Sequence, residues 1–120
     1  MALTYSKQLP SGSTNGRLVE VNNLTSPGTT FHTVQATATT AREEVYLYAM
    51  NGGTATAGHT LTVEWGGTSS ADQIKVTIPP EDGLFQINPG MAFTATTSIV
   101  RAFATATGLF RLGGWVNRAT

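Results

Sequence analysis

EEVYLYAMNGGTATAGHTLTVEWGG, from Glu43 to Gly67, is the stretch whose reading decides the fold. Two β-prone runs, Val45 to Met50 and Thr60 to Trp65, flank a loop of Gly, Thr and Ala. In the second run Leu61, Val63 and Trp65 point one way and Thr60, Thr62 and Glu64 the other. That period of two marks a half-buried strand, with Glu64 on its solvated side. In the first run Val45, Leu47 and Ala49 make one apolar face, while Tyr46, Tyr48 and Met50 make the other nearly apolar as well. A strand with two such faces lies centrally in a sheet or presents one face to a partner. The spacing predicts a hairpin made of these two runs.

Outward from the hairpin the same β signals recur. Arg17 to Asn22 reads as a strand with Leu18 on one face and Val19 and Val21 on the other. Thr29 to Ala38 is a second β stretch after the turn at Ser26-Pro27-Gly28, and Thr39 to Arg42 connects it to the hairpin. Gln73 to Ile78 alternates, with Ile74, Val76 and Ile78 inward, and Pro79-Pro80 ends its ladder because neither proline can donate a main-chain hydrogen bond. Leu84 to Ile87 is a short strand, Asn88-Pro89-Gly90 a turn, and Met91 to Thr94 a brief edge pairing. Ser98 to Thr105 and Leu109 to Asn117 close the chain, the latter interrupted by Gly113-Gly114, where a bulge or a close backbone approach is expected. Ala92 to Ala106 is alanine-rich, but its threonines and its lack of a polar stripe favour strand over helix.

The expectation is an all-β chain, an antiparallel β-sandwich of jelly-roll type with about eight strands. Residues 1–16, polar and rich in Ser, Gly and Thr, read as an extended N-terminal arm ordered against neighbouring subunits; residues 17–120 read as one sandwich domain.

Composition narrows the function classes. Seven basic and seven acidic side chains balance to a net charge of zero, and only 12% of residues are charged. Average proteins carry about 25%. Nucleic acid needs a basic stripe, so it is not an expected partner. Low charge also removes much of the usual protection against self-association. There is no cysteine, hence no disulfide and no thiolate metal site. No apolar run is long enough to span a bilayer, so no membrane partner is expected. The opening MALTYSKQLPSGSTNG lacks a hydrophobic run of signal-peptide length, which argues against Sec export and for a cytosolically made protein.

Catalytic patterns are missing from the sequence. His32 and His59 stand far apart without a metal-binding spacing and read as structural or surface histidines. Glu20, Glu64, Asp72, Glu81 and Asp82 fall at solvated or turn positions, and neither a GxSxG elbow nor a phosphate loop occurs. The expectation is a non-enzyme with no catalytic residue, no cofactor and no metal. Tyr46, Tyr48, Trp65 and Trp115 could stack on sugar rings, although Trp65 shares its face with Leu61 and Val63 and reads as core. An oligomer interface uses such aromatics for the same reason, contact area at low entropic cost. Arg101 and Arg111 interrupt apolar strands, positioned to meet Glu43, Glu44 or Glu64 across a sheet or to reach a neighbouring subunit.

Three segments together resemble a group of small tailed-phage virion proteins: SGSTNGRLVEV; EEVYLYAMN with LTVEWGGTSSADQIKVTIPPEDGLFQINPGM; and VRAFATATGLFRLGGWVNR. The shared look is a Ser-Gly-Ser-Thr-x-Gly opening at Ser11 to Gly16, a Glu-Trp-Gly-Gly-Thr strand end at Glu64 to Thr68, a Pro-x-x-Gly turn at Pro80 to Gly83 and a closing Gly-x-x-Asn-Arg at Gly114 to Arg118. The resemblance runs from about Ser11 onward and transfers no individual functional residue. It implies a non-enzymatic capsid cement or decoration protein on the virion surface. The partners would be the major capsid protein and further copies of the chain, as a homotrimer or homodimer. The alternative is a carbohydrate-binding or tail/fibre-associated sandwich module. The partner contacts expected are Tyr5 and Leu9 in the arm, the Tyr46, Tyr48 and Met50 face, Arg101, Arg111, and Arg118 at the tail.

Overall fold

The computed structural model describes residues 4–35, 42–53, 59–94 and 98–120. They form nine strands: β1 (Tyr5–Gln8), β2 (Val19–Glu20), β3 (Thr29–Thr33), β4 (Arg42–Asn51), β5 (Leu61–Gly66), β6 (Gln73–Val76), β7 (Phe85–Phe93), β8 (Ile99–Ala104) and β9 (Phe110–Ala119). A single 3-10 turn, Ser70–Asp72, precedes β6. Sheet A runs β1-β9-β4-β7, with β2 also on β9; sheet B runs β3-β8-β5-β6. The strand pairings are antiparallel throughout. The sheets pack face to face around Phe31, Val45, Leu47, Leu61, Val63, Val100, Ala102, Phe110, Leu112 and Val116, with both sheets contributing.

The fold is therefore all-β in two antiparallel sheets, with nine strands where about eight were expected. The expected hairpin does not form. Although β4 and β5 are consecutive and each alternates as read, β4 lies between β9 and β7 in sheet A and β5 between β8 and β6 in sheet B. Alternation fixes which side of a strand is buried but not which strand it pairs with. Residues 54–58 of the connection, like 36–41 and 95–97, lie outside the described residues. Asn88-Pro89-Gly90 is not a turn. It is an irregularity inside β7, where the register against β4 shifts twice and Asn88 Oδ1 accepts the Gly90 and Met91 N–H groups at 3.0 and 2.8 Å. Within the stretch expected as an arm, Tyr5–Gln8 is paired to β9 of the same chain, from Tyr5 opposite Ala119 to Gln8 opposite Val116. Gly114 is the close approach anticipated: at φ +143°, a Cβ there would lie 1.9 Å from the Tyr46 carbonyl oxygen.

Two carboxylates are fully buried, one of them, Glu64, where a solvated position was expected. Glu64 is fully buried because the Ser26–Gly28 loop closes over it. Ser26 Oγ–H donates to Oε2 at 2.5 Å and Gly28 N–H to Oε1 at 2.7 Å. Glu43 is also fully buried, at the end of the inward row of β4. Its Oε1 accepts the Gln35 N–H at 2.7 Å and faces His32 Nε2 at 2.8 Å, while Oε2 accepts Arg118 Nε–H at 2.7 Å. Ser11 N–H donates to His32 Nδ1 at 3.0 Å, so the ring proton belongs on Nε2, where it is donated to Glu43. Burial alone would raise the pKa of Glu43; the hydrogen bonds from Gln35, His32 and Arg118 outweigh it and hold the carboxyl below its ordinary value. The cluster ties β4 and β9 of sheet A to β3 of sheet B. Arg118, expected at a partner contact, is committed inward to this cluster.

Candidate functional site

The outer face of sheet A is built by three neighbouring strands. In β9, Phe110, Leu112 and Val116 point into the core, which leaves Arg111, Gly113, Trp115 and Asn117 on the other side. Register sets Trp115 opposite Tyr46, Gly113 opposite Tyr48 and Arg111 opposite Met50. Directly opposed residues of an antiparallel pair share a face, so the aromatics meet. Tyr46 and Trp115 stack with centroids 4.6 Å apart and planes 11° apart. Tyr48 stacks on the same indole at 6.0 Å and 24°.

The edges of this strip are held in place. From β1, Lys7 Nζ sits 5.1 Å from the Trp115 ring centroid, a cation–π contact. From β7, Gly90 at φ +100° lies against Tyr46, whose ring leaves no room for a Cβ there, and Gln86 Nε2–H donates to the Tyr48 hydroxyl at 3.3 Å. Arg42 donates to the Tyr5 hydroxyl, lies 5.7 Å from its ring centroid, and approaches Glu44 at 3.8 Å. Beside the rings, Gly16, Leu18, Tyr48, Leu84, Gly113, Gly114 and Trp115 line a shallow depression. Its floor is the bare backbone of the two glycines, and Leu18 and Leu84 remain 45% and 57% exposed at its rim.

Of the contact residues expected from the sequence, Tyr5, Tyr46, Tyr48, Met50 and Arg111 come together on this face. Leu9, 58% exposed, borders it through Gly16, which it touches. Arg101 does not belong to it: it projects from β8 in sheet B, opposite Glu64 and Thr30. Neither Arg101 nor Arg111 forms an ion pair with a described residue; Glu43, one carboxylate considered for them, is taken by Arg118. Trp65, expected as core, is half-buried: it packs against the core and against Phe93 across the sheets at 4.8 Å. The expected list omitted Trp115, Lys7, Leu18 and Leu84. The outward phase of Trp115 was readable from the alternation of Phe110, Leu112 and Val116. Its opposition to Tyr46 was not, because that depends on the register of two strands more than sixty positions apart.

The face offers area and shape rather than reactive groups. Its rings are stacked on one another, and its charges are Lys7, Arg42 and Arg111 against Glu44. Among the described residues, no three His, Asp or Glu side chains converge as a metal site. His59 Nδ1 meets Thr105 Oγ1 at 3.2 Å. No protein-family model matches the chain, and no curated protein or solved structure matches it.

Proposed function

We propose that this chain is a non-enzymatic structural protein of a phage virion, a capsid cement protein that binds the outer shell and stabilises it through subunit contacts. The observation that carries the reading is the aromatic strip Tyr46–Trp115–Tyr48, left half-open on the outer face of sheet A. Rigid aromatics set in a shallow depression are what a protein interface uses at its energetic centre. The three sequence segments that resemble virion proteins support the same reading. The strand order, β2-β9-β4-β7 over β3-β8-β5-β6 with β1 added at one edge, supports it too, on our reading of that order as a jelly roll. On this reading the shell protein and neighbouring copies, as a dimer or trimer about a local symmetry axis, share the face.

The test is the copy number of the chain in purified virions, by quantitative mass spectrometry against the major capsid protein. A ratio near one, or a simple fraction of one, is the expected result. A few copies per particle would assign the chain to the tail or a fibre. Absence from the particle would end the structural reading and favour sugar binding by the same aromatics.

A further inference from the structure

The geometry points to an acid-released clasp: neutral His32 holds the Ser11–Gly12 segment against the edge of β3, and protonation of its ring lets that segment go. Three hydrogen bonds make the clasp. Ser11 N–H donates to His32 Nδ1 at 3.0 Å, Thr33 N–H donates to Ser11 Oγ at 2.7 Å, and Gly12 N–H donates to the Phe31 carbonyl at 2.8 Å. They cover the edge of β3 that faces away from β8. The first of them exists only while Nδ1 keeps its lone pair.

The ring is enclosed, with 1% of its surface exposed, so it cannot turn to water when its charge changes. The charged groups facing it are Glu43 from β4 and, through the other carboxylate oxygen, Arg118 from β9; the arm brings only the uncharged Ser11. Glu43 already accepts the Nε2 proton. A proton on Nδ1 would set one N–H donor against another, that of Ser11, at hydrogen-bond distance. The ring can satisfy Glu43 as a cation only after Ser11 has moved. Release of the clasp is therefore linked to the uptake of one proton, and the docked fraction falls as pH falls. The exposed product is an open strand edge carrying the Phe31 carbonyl and the Thr33 N–H, the kind of edge another strand can extend.

Residue-resolved hydrogen exchange tests this on the whole chain, together with nitrogen chemical shifts of the His32 ring. The pH is stepped from about 8 to about 5, the interval in which histidines change charge. With exchange corrected for its intrinsic pH dependence, protection at Ser11, Gly12 and Thr33 should fall as the ring gains its second proton, by up to about tenfold per pH unit. Leu47 and Val116 should keep theirs. A His32→Gln variant, whose amide can accept from Ser11 and donate to Glu43 at every pH, should hold the clasp closed across the range. Four results would overturn the proposal: a ring that stays neutral down to a pH of about 5, a protonated ring with the three amides still protected, loss of their protection while the ring is neutral, or the same pH profile in His32→Gln.

Discussion

Along β4, Val45, Leu47 and Ala49 are wholly shut away, while Tyr46, Tyr48 and Met50, each one position further on, stand half-open. The inner row is covered by sheet B; among the described residues the outer row is covered by its own stacking and the flanks of neighbouring strands. Sheet B handles its outer side differently, since the Ser26–Gly28 loop closes over Glu64 there. The difference separates two uses of apolar surface. Residues covered by the chain itself supply folding energy. Aromatics that the chain orders but leaves half-open keep part of their surface uncovered.

Substitutions on the two rows test that separation. The largest effect is expected from Leu47→Ala, which opens a cavity between the sheets and should cost about 3 kcal/mol in urea unfolding; a cost near zero would mean that the inner row is not the core. Glu43→Gln should cost about 3 kcal/mol at neutral pH, since it leaves Arg118 and His32 facing an uncharged amide. The pH dependence has a definite sign. A carboxyl held below its ordinary pKa in the folded state contributes stability above the ordinary carboxylate range and loses it as pH falls through the lowered value. The urea midpoint of the wild-type chain should therefore drop on acidification in that window, and Glu43→Gln should flatten the drop. Smallest for folding is Trp115→Ala, about 1 kcal/mol from the lost ring stacking. In a binding assay with undecorated heads the same variant should be the most damaging of the three per unit of stability lost. Full binding by a folded Trp115→Ala chain would remove the strip from the proposed contact.

Strand positions and facing were legible in the sequence wherever one side of a strand is core. Val45, Leu47, Ala49, Leu61 and Val63 announced themselves by period, and Gly114 by its place inside a strand. Partnership was not legible. β4 pairs with β9 and β7, far along the chain, and nothing local in Glu43 to Gly67 distinguishes a hairpin from a crossing between layers. The buried carboxylates were missed for a related reason. Glu64 has the local pattern of a surface residue, and its burial comes from the Ser26–Gly28 loop; Glu43 is in phase with the inward Val45, Leu47 and Ala49, and only the folded chain brings His32 and Arg118 to it. The half-open strip was anticipated through Tyr46, Tyr48 and Trp115 as a stacking platform, yet the place of Trp115 against the two tyrosines required the register of β9.

Only β5 and β6 are neighbours both in the chain and in a sheet; every other pairing joins strands separated by at least two others. β9 by itself pairs with three strands, β1, β2 and β4. A chain emerging from the ribosome cannot close sheet A until that last strand is free of the exit tunnel. Closure should be slow, on the order of milliseconds to seconds, as in other domains dominated by distant pairings. During synthesis both rows of β4 are equally bare, and the aromatic strip becomes a surface distinct from the core only when β9 arrives.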